Sequence, residues 1–174
     1  MAWLVCVKLD AVARRITRTR THHCDELEAM AWTDHVTGIA SRRKLDHDLA
    51  QPHESDGQTA VMMVEVDGFE SIRDQFGHDV GDHLLRRLSV VLSAQVRHGD
   101  VVYRYGGAEF CVLLPGASRE EASAVADRVV AAAATLDLPQ QRPVTVSVGV
   151  ADGSPNEIVV TLENADRALH LQHA

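Results

Sequence analysis

The run at 59–66 (TAVMMVEV) is apolar or β-branched throughout except for Glu65, and it predicts a strand buried on both faces. Residues 101–105 and 109–114 are two further apolar, β-rich runs around Gly106-Gly107, the pattern of a hairpin, and Pro115 and Gly116 stop the second. A fourth strand is predicted over 144–150. Between them the apolar spacing lengthens to that of helices. One spans 42–50 behind Ser41, a suitable N-cap; a short one spans 69–75; an amphipathic one spans 83–96 after a turn at 77–82. Ser118 opens an alanine-rich helix to about 136, with Glu120 and Glu121 in the first turn, where the helix dipole favours acids. A last helix covers 157–172. Residues 2–31 contain no Gly or Pro and read as a helical lead-in. Val5, Leu9, Val12 and Ile16 form a short coiled-coil-like seam on it, and Arg14, Arg15, Arg18 and Arg20 make its middle basic. A hairpin plus strands linked through helices predicts an α+β fold, with helices packed on a central mixed, mostly antiparallel sheet.

Charge and composition narrow the function classes. The chain has 174 residues, one domain's worth, with 17 Lys and Arg against 25 Asp and Glu and a net charge of −8. An acidic chain with 4% aromatic residues lacks the basic, ring-rich surface of a nucleic-acid binder. No apolar run approaches the ~18 residues that cross a bilayer. Cys6, Cys24 and Cys111 are odd in number and widely spaced, which predicts free thiols and a cytoplasmic protein. His22-His23-Cys24 and the pair His170/His173 are histidine clusters without the further ligands of a structural zinc site. Among the cations, only Lys8 and Lys44 are lysines.

From about Leu27 the segments, in order, resemble the GGDEF domain family, the diguanylate cyclases that condense two GTP into cyclic di-GMP. DHVTGIASRR (34–43) is similar to D-x-L-T-G-L-x-N-R-R, EVDGF (65–69) to D-x-D-x-F, FGHDVGD (76–82) to F-G-H-x-x-G-D, and RYGGAEF (104–110) to R-x-G-G-D-E-F. VSVGV (146–150) and ADRAL (165–169) resemble the closing strand and helix. The resemblance implies the palm-like fold of the nucleotidyl cyclases, a lead-in or dimer stalk over 1–31, and a degenerate GGDEF domain over 32–174.

Cyclase chemistry is attack of a 3′-hydroxyl on an α-phosphate, with Mg²⁺ held by carboxylates. The resemblance assigns those carboxylates to the first acid of D-x-D-x-F, here Glu65, and to the acid after Gly-Gly, here Ala108, which ligates nothing. Glu65 is one methylene longer than the family Asp, and octahedral Mg²⁺ tolerates displaced ligands badly. Glu109 remains, but strand alternation turns it to the face opposite residue 108, so it is not expected to replace the lost ligand. The family's phosphate-holding Lys after the Phe is Glu70, which repels a triphosphate, and the Lys with which the family closes is His173. A guanine-reading Asn is Arg73, a donor-only side chain, whereas Asp82, the other guanine reader, is intact. Losses in metal, phosphate and base recognition together predict a domain without cyclase turnover, which requires no cofactor and involves Mg²⁺ only if GTP still binds.

The family's regulatory site for its product is built on R-x-x-D ahead of the Gly-Gly turn, and Arg97-His-Gly-Asp100 has that spacing. Arg128 falls where the family often adds another Arg. Arg donates two parallel bonds to guanine O6/N7 edges or to phosphates, and Asp accepts from guanine N1–H and N2–H. R-x-x-D by itself equally describes a surface ion pair; its placement beside Arg128 favours a ligand site. The first expectation is therefore a catalytically inactive receptor for cyclic di-GMP. Its rivals are a dimerisation or partner-docking scaffold working through 1–31, with an unknown protein partner, and a residual cyclase or GTP-binding regulator using Glu65, Asp82, Arg104 and Glu109.

Overall fold

A computed structural model describes residues 31–51, 57–138 and 142–171. The predicted lead-in helix over 2–31, Cys6, Cys24 and His173 lie outside those residues, apart from Ala31. The elements are β1 (Ala40–Ser41), α1 (Arg42–Leu49), β2 (Thr59–Val66), α2 (Phe69–Phe76), α3 (His78–Gln95), β3 (Val101–Gly106), β4 (Glu109–Pro115), α4 (Arg119–Ala133), β5 (Asp137–Leu138), β6 (Arg142–Pro143), β7 (Val146–Gly153) and, after a 3₁₀ turn at Pro155–Glu157, α5 (Ile158–His170).

The main sheet has the order β1-β3-β4-β2-β7. Only β1 and β3 run parallel; β3–β4, β4–β2 and β2–β7 are antiparallel, so the sheet is mixed and mostly antiparallel, as the pattern predicts. β2 lies between β4 and β7, and its alternate residues feed two cores. Met62, Val64 and Val66 join Phe110 and Val112 under α2, α3 and α4. Val61 and Met63 join Tyr103, Cys111 and the α1 and α5 residues Leu45, Leu162 and Leu169 on the other face. Burial on both faces explains why the β2 run carries almost no polar residue. The helix starts follow their caps. Ser41 Oγ accepts from the Lys44 N–H, and Ser118 and Glu121 form a reciprocal capping box.

Four expectations need correction. The predicted turn at 77–82 is only Gly77, at φ 90°; α3 begins at His78 and takes in Gly81. Gly81 serves packing, because a Cβ there would sit 2.9 Å from Arg73 Cγ and 3.2 Å from Phe69 Cζ. The alanine-rich helix stops at Ala133, and the chain turns back through bonds from Thr135 and Leu136 N–H to the Ala132 and Ala133 carbonyls. The last strand runs Val146–Gly153 instead of 144–150, and the last helix begins at Ile158 after the 3₁₀ turn. The two-residue strands β1, β5 and β6 carry no pattern of their own and exist through their partners. At Gly149 on β7 the backbone of α5 lies directly against the sheet. A Cβ there would lie 2.1 Å from the Ala165 carbonyl oxygen and 2.3 Å from Leu169 N.

Candidate functional site

Two polar regions emerge, one at the tip of the β3–β4 hairpin and one between α3 and α4. At the tip, Gly107 turns the chain at φ 45° and the register shifts between Arg104 and Gly106. Ala108 follows, 8% exposed, packed with the core under α2–α4, and its carbonyl accepts the Val66 N–H at 3.2 Å. Glu65 and Glu109 are register partners across β2 and β4, so their side chains share one face. That face is the α1/α5 side, opposite the core that holds Ala108. Alternation separates Glu109 from residue 108, as expected, and the β2–β4 register sets it beside Glu65, which alternates to the same side.

Burial, then the carboxylates of Glu65 and Asp166, push the Glu109 carboxyl above its ordinary range against the opposing charges of His170 and Arg42. Arg42 itself stacks on Tyr105, its guanidinium carbon 3.7 Å from the ring centre. Two carboxylates on one face are part of a hard-cation site, yet among the described residues no group of three or more His, Cys, Asp and Glu has the arrangement to hold a metal ion. Ala108, on the other face, adds no ligand to this pair, and the Arg42 charge acts on Glu109 from the same side.

The α2–α3 corner holds Arg73, which stands in place of the guanine-reading Asn, and Asp82, the reader that is kept. Arg73 lays its stem along Gly81 and its guanidinium 5.7 Å from the Phe69 ring centre, with Nε buried and without a hydrogen-bond partner. Arg104 holds its guanidinium carbon 5.1 Å from the Phe110 ring centre, where the charges of Asp34 and Asp82 act on it. Burial lowers its pKa, the two acids oppose that shift, and its Nε and Nη1 are buried without partners. Asp34 accepts from Thr37 N at 2.9 Å and Thr37 Oγ1 at 2.6 Å. Burial would raise its pKa, but these bonds and the Arg104 charge hold the carboxyl below its ordinary value. The role of Asp34 as a partner for Arg104 is absent from the sequence reading; the D-x-x-T spacing of a side-chain-closed turn is the signal that was available.

The second region brings all three expected arginine-site residues together. Arg97, Asp100 and Arg128 line one pocket of about 370 Å³ with Gln95, Val96, Leu114, Ala117 and Glu121. Arg97 follows α3, and Asp100 precedes β3. The Arg97 N–H donates to Asp100 Oδ2 at 2.9 Å, Nε donates to Oδ1 at 3.3 Å, and the Asp100 N–H returns to the Arg97 carbonyl at 3.1 Å. Arg97 Nη2 donates to the Pro115 carbonyl at 2.8 Å. Arg128, on α4, donates to the carbonyls of Gln95 at 3.0 Å and Ala124 at 3.3 Å. The Arg97 side chain is 57% exposed, that of Asp100 only 3%.

The family model described as "Diguanylate cyclase, GGDEF domain" matches residues 31–173. The chain belongs to the GGDEF domain family. This GGDEF domain is 31% identical over 156 residues to the diguanylate cyclase DgcP of Pseudomonas aeruginosa, covering 85% of the present chain and 23% of DgcP. It superposes on the diguanylate cyclase SiaD of Pseudomonas aeruginosa, solved in complex with its activator SiaC, with a TM-score of 0.76 and 30% identity over 95% of this chain and 68% of that one. The GGDEF domain of DgcB from Caulobacter crescentus, solved in complex with c-di-GMP, gives a TM-score of 0.75 at 25% identity over 82% of this chain and 88% of that one. The chain thus spans under a quarter of the length of DgcP. Among the described residues of this GGDEF domain no helix is long and apolar enough to cross a membrane. Its fold is the one the sequence resemblance implies, with the hairpin tip bearing Gly-Gly-Ala-Glu-Phe.

Proposed function

We propose that this GGDEF domain is a catalytically inactive, cytoplasmic receptor for cyclic di-GMP, with Arg97, Asp100 and Arg128 as its ligand site. The observation that carries the reading is the convergence of these three residues, from the Arg97–Asp100 turn and from α4, on one pocket of about 370 Å³. A cyclic dinucleotide offers two phosphates and the O6/N7 edges of two guanines, and guanidinium groups are the side chains that meet both with paired donors. The solved complex of the DgcB GGDEF domain with c-di-GMP supports the ligand class. The other half of the reading is lost turnover. Ala108 brings no carboxylate, Glu70 in the first turn of α2 opposes a triphosphate, and the Arg73 stem covers Gly81 beside Asp82. Calorimetric titration of the purified chain with cyclic di-GMP tests it. Micromolar binding in the wild type that is lost in Arg97→Ala is the expected result; absence of binding, or equal binding by the variant, overturns it.

The facing pair Glu65 and Glu109 favours a second reading, a residual cyclase or GTP-binding regulator. Incubation with GTP and Mg²⁺, followed by chromatography, decides it: cyclic di-GMP among the products supports the reading, and unchanged GTP removes its cyclase form. The scaffold reading, a homodimer or docking module acting through residues 1–31, predicts a dimer by light scattering that is lost when those residues are deleted.

A further inference from the structure

Residues 31–33 enter the domain beside α1, and α1 holds them at two points. Ser41 Oγ donates to the Ala31 carbonyl at 2.7 Å while accepting the Lys44 N–H at 3.3 Å, so the N-cap of α1 also tethers the backbone that precedes it. The half-buried Trp32 ring lies 5.0 Å from the His47 ring, and its centre is 4.9 Å from Lys44 Nζ. Lys44 is itself held, because its ammonium pairs with Asp48 Oδ1 one helical turn on. The second oxygen, Asp48 Oδ2, accepts the Tyr103 hydroxyl at 2.7 Å. Tyr103 is the fixed end of this series. It is 1% exposed, sits in the core of the α1/α5 face, and has Ala40 and Cys111 as its register partners on either side. Burial, then the bond to Asp48, raise its pKa, so the phenol keeps its proton and remains a donor.

We infer that the series Trp32, Lys44, Asp48, Tyr103 is a joint that registers the chain before Ala31 against the sheet, with Asp48 and Tyr103 as positioning residues. A carboxylate with one oxygen on an ammonium and the other on a buried hydroxyl is fixed at its buried end, and Lys44 takes its place from it. The ammonium therefore sits over the Trp32 face in the position that β3 dictates. In the other direction, displacing Trp32 pulls on Lys44 and Asp48, and the load reaches β3 next to Arg104, ahead of Gly106 at the hairpin tip. A Lys–Asp pair on a helix surface is by itself a weak tie. The buried hydroxyl strengthens it, because a phenol that loses its acceptor is left unsatisfied in the core. The joint works whether or not the arginine pocket takes a ligand. It gives a movement of residues 1–31 a route to the tip through side chains of this chain alone.

The test is hydrogen exchange of the full chain, read by mass spectrometry on peptides spanning 32–34, in the wild type, Lys44→Met, Tyr103→Phe, Asp48→Asn and the double variant Lys44→Met/Tyr103→Phe. Lys44→Met keeps the aliphatic stem and removes the charge over Trp32. It is expected to speed exchange at 32–34 by about two- to fivefold, the shift in local opening that a partly exposed cation–π contact controls. Tyr103→Phe keeps the ring in the core and deletes only the hydroxyl. It is expected to speed exchange at 32–34 by a similar factor, although the change itself is on β3. The double variant should exchange no faster than the faster single variant, since links in series break once. Asp48→Asn, at a helix position that is only partly buried, carries the same test should Tyr103→Phe fail to fold. The α4 amides serve as the reference and are expected to keep their wild-type rates. The inference is overturned by wild-type exchange at 32–34 in Lys44→Met, by wild-type exchange there in folded Tyr103→Phe or in Asp48→Asn, or by additive effects in the double variant. Equal acceleration in α4 also overturns it, as the mark of a general loss of stability.

Discussion

The two polar regions of this domain differ in how their groups are satisfied. At the hairpin tip like charges are brought together. Glu109 faces Glu65 and has Asp166 nearby, while buried nitrogens of Arg73 and Arg104 have no partners. Between α3 and α4, every charged group of the trio is paired: Arg97 with Asp100 and a carbonyl, Arg128 with two carbonyls. Such pairing fixes side chains in place before a ligand arrives and lowers the ordering cost of binding. Repelling carboxylates and orphan donors mark a place whose complementary groups have been substituted, as Ala108, Glu70 and Arg73 are relative to the family motif. The contrast supports the proposed binding role for one region and the proposed loss of turnover for the other.

The largest effect is expected from disturbing the framework on one side of the sheet only. Gly149→Ala puts a methyl into the Ala165 carbonyl and Leu169 N, both backbone atoms that cannot swing aside, so α5 has to shift off β7. Urea denaturation is expected to show a loss of about 3 kcal/mol. Because α5 packs on the face of Glu65 and Glu109, and the arginine pocket lies on the other side, the folded fraction should still bind cyclic di-GMP. Loss of binding in protein that remains folded would show the two regions to be coupled. Next in size is Arg97→Ala, expected to weaken cyclic di-GMP by about 2 kcal/mol, the scale of a charge-assisted hydrogen bond, with no change in the response to GTP. A matched loss at both ligands, read by calorimetry, would merge the two sites.

These consequences were unequally readable from the chain. The bounds of β2 are those of its apolar run, since burial on both faces leaves an unbroken hydrophobic signature. Ser41 and Ser118 announce their helices because capping is local chemistry. The start of α3 was hidden: Gly77 and Gly81 look alike in sequence, yet one turns the chain at positive φ and the other admits Arg73. Glu65 and Glu109 are placed face to face by the β2–β4 register, which depends on two distant segments and not on the periodicity of either alone. In the same way the R-x-x-D spacing foretold a proximity, but only the turn around Gly99 reveals the bonds that tie the Asp100 carboxylate to Arg97.

A smaller effect separates orphaned from paired charges within the tip region itself. Asp34 holds the turn at 35–38 through Thr37 and lies next to the Arg104 charge. Asp34→Ala is expected to cost about 1 kcal/mol at neutral pH, the net worth of such a bond. Its carboxyl is held below the ordinary value in the folded state. The stability it contributes is therefore present above the unfolded-state pKa and is lost as pH falls through the folded value. Denaturation curves of wild type and variant should converge in acid; a gap that is constant with pH would mean that the charge plays no part.

The smallest effect has the opposite sign and is the sharpest test of the contrast. Glu109 titrates above its ordinary range, first through burial and then through Glu65 and Asp166. The folded protein thus binds this proton more tightly than the unfolded chain does. The resulting contribution favours folding below the unfolded-state pKa and is lost as pH rises through the raised folded value. At neutral pH an ionised Glu109 is consequently a net burden on the fold, and Glu109→Gln should stabilise the domain by a few tenths of a kcal/mol, a size set by solvent screening of a partly exposed group. Below the ordinary Glu range of about 4.3 the gain should vanish, because wild type and variant are then both neutral at this position. Adding Glu65→Gln should leave Glu109 closer to its ordinary value and reduce the benefit of the second substitution, a coupling that a double-mutant cycle reads directly. If Glu109→Gln destabilises at neutral pH instead, the carboxylate is held by favourable contacts, and the tip is a maintained charged site and not a relict one.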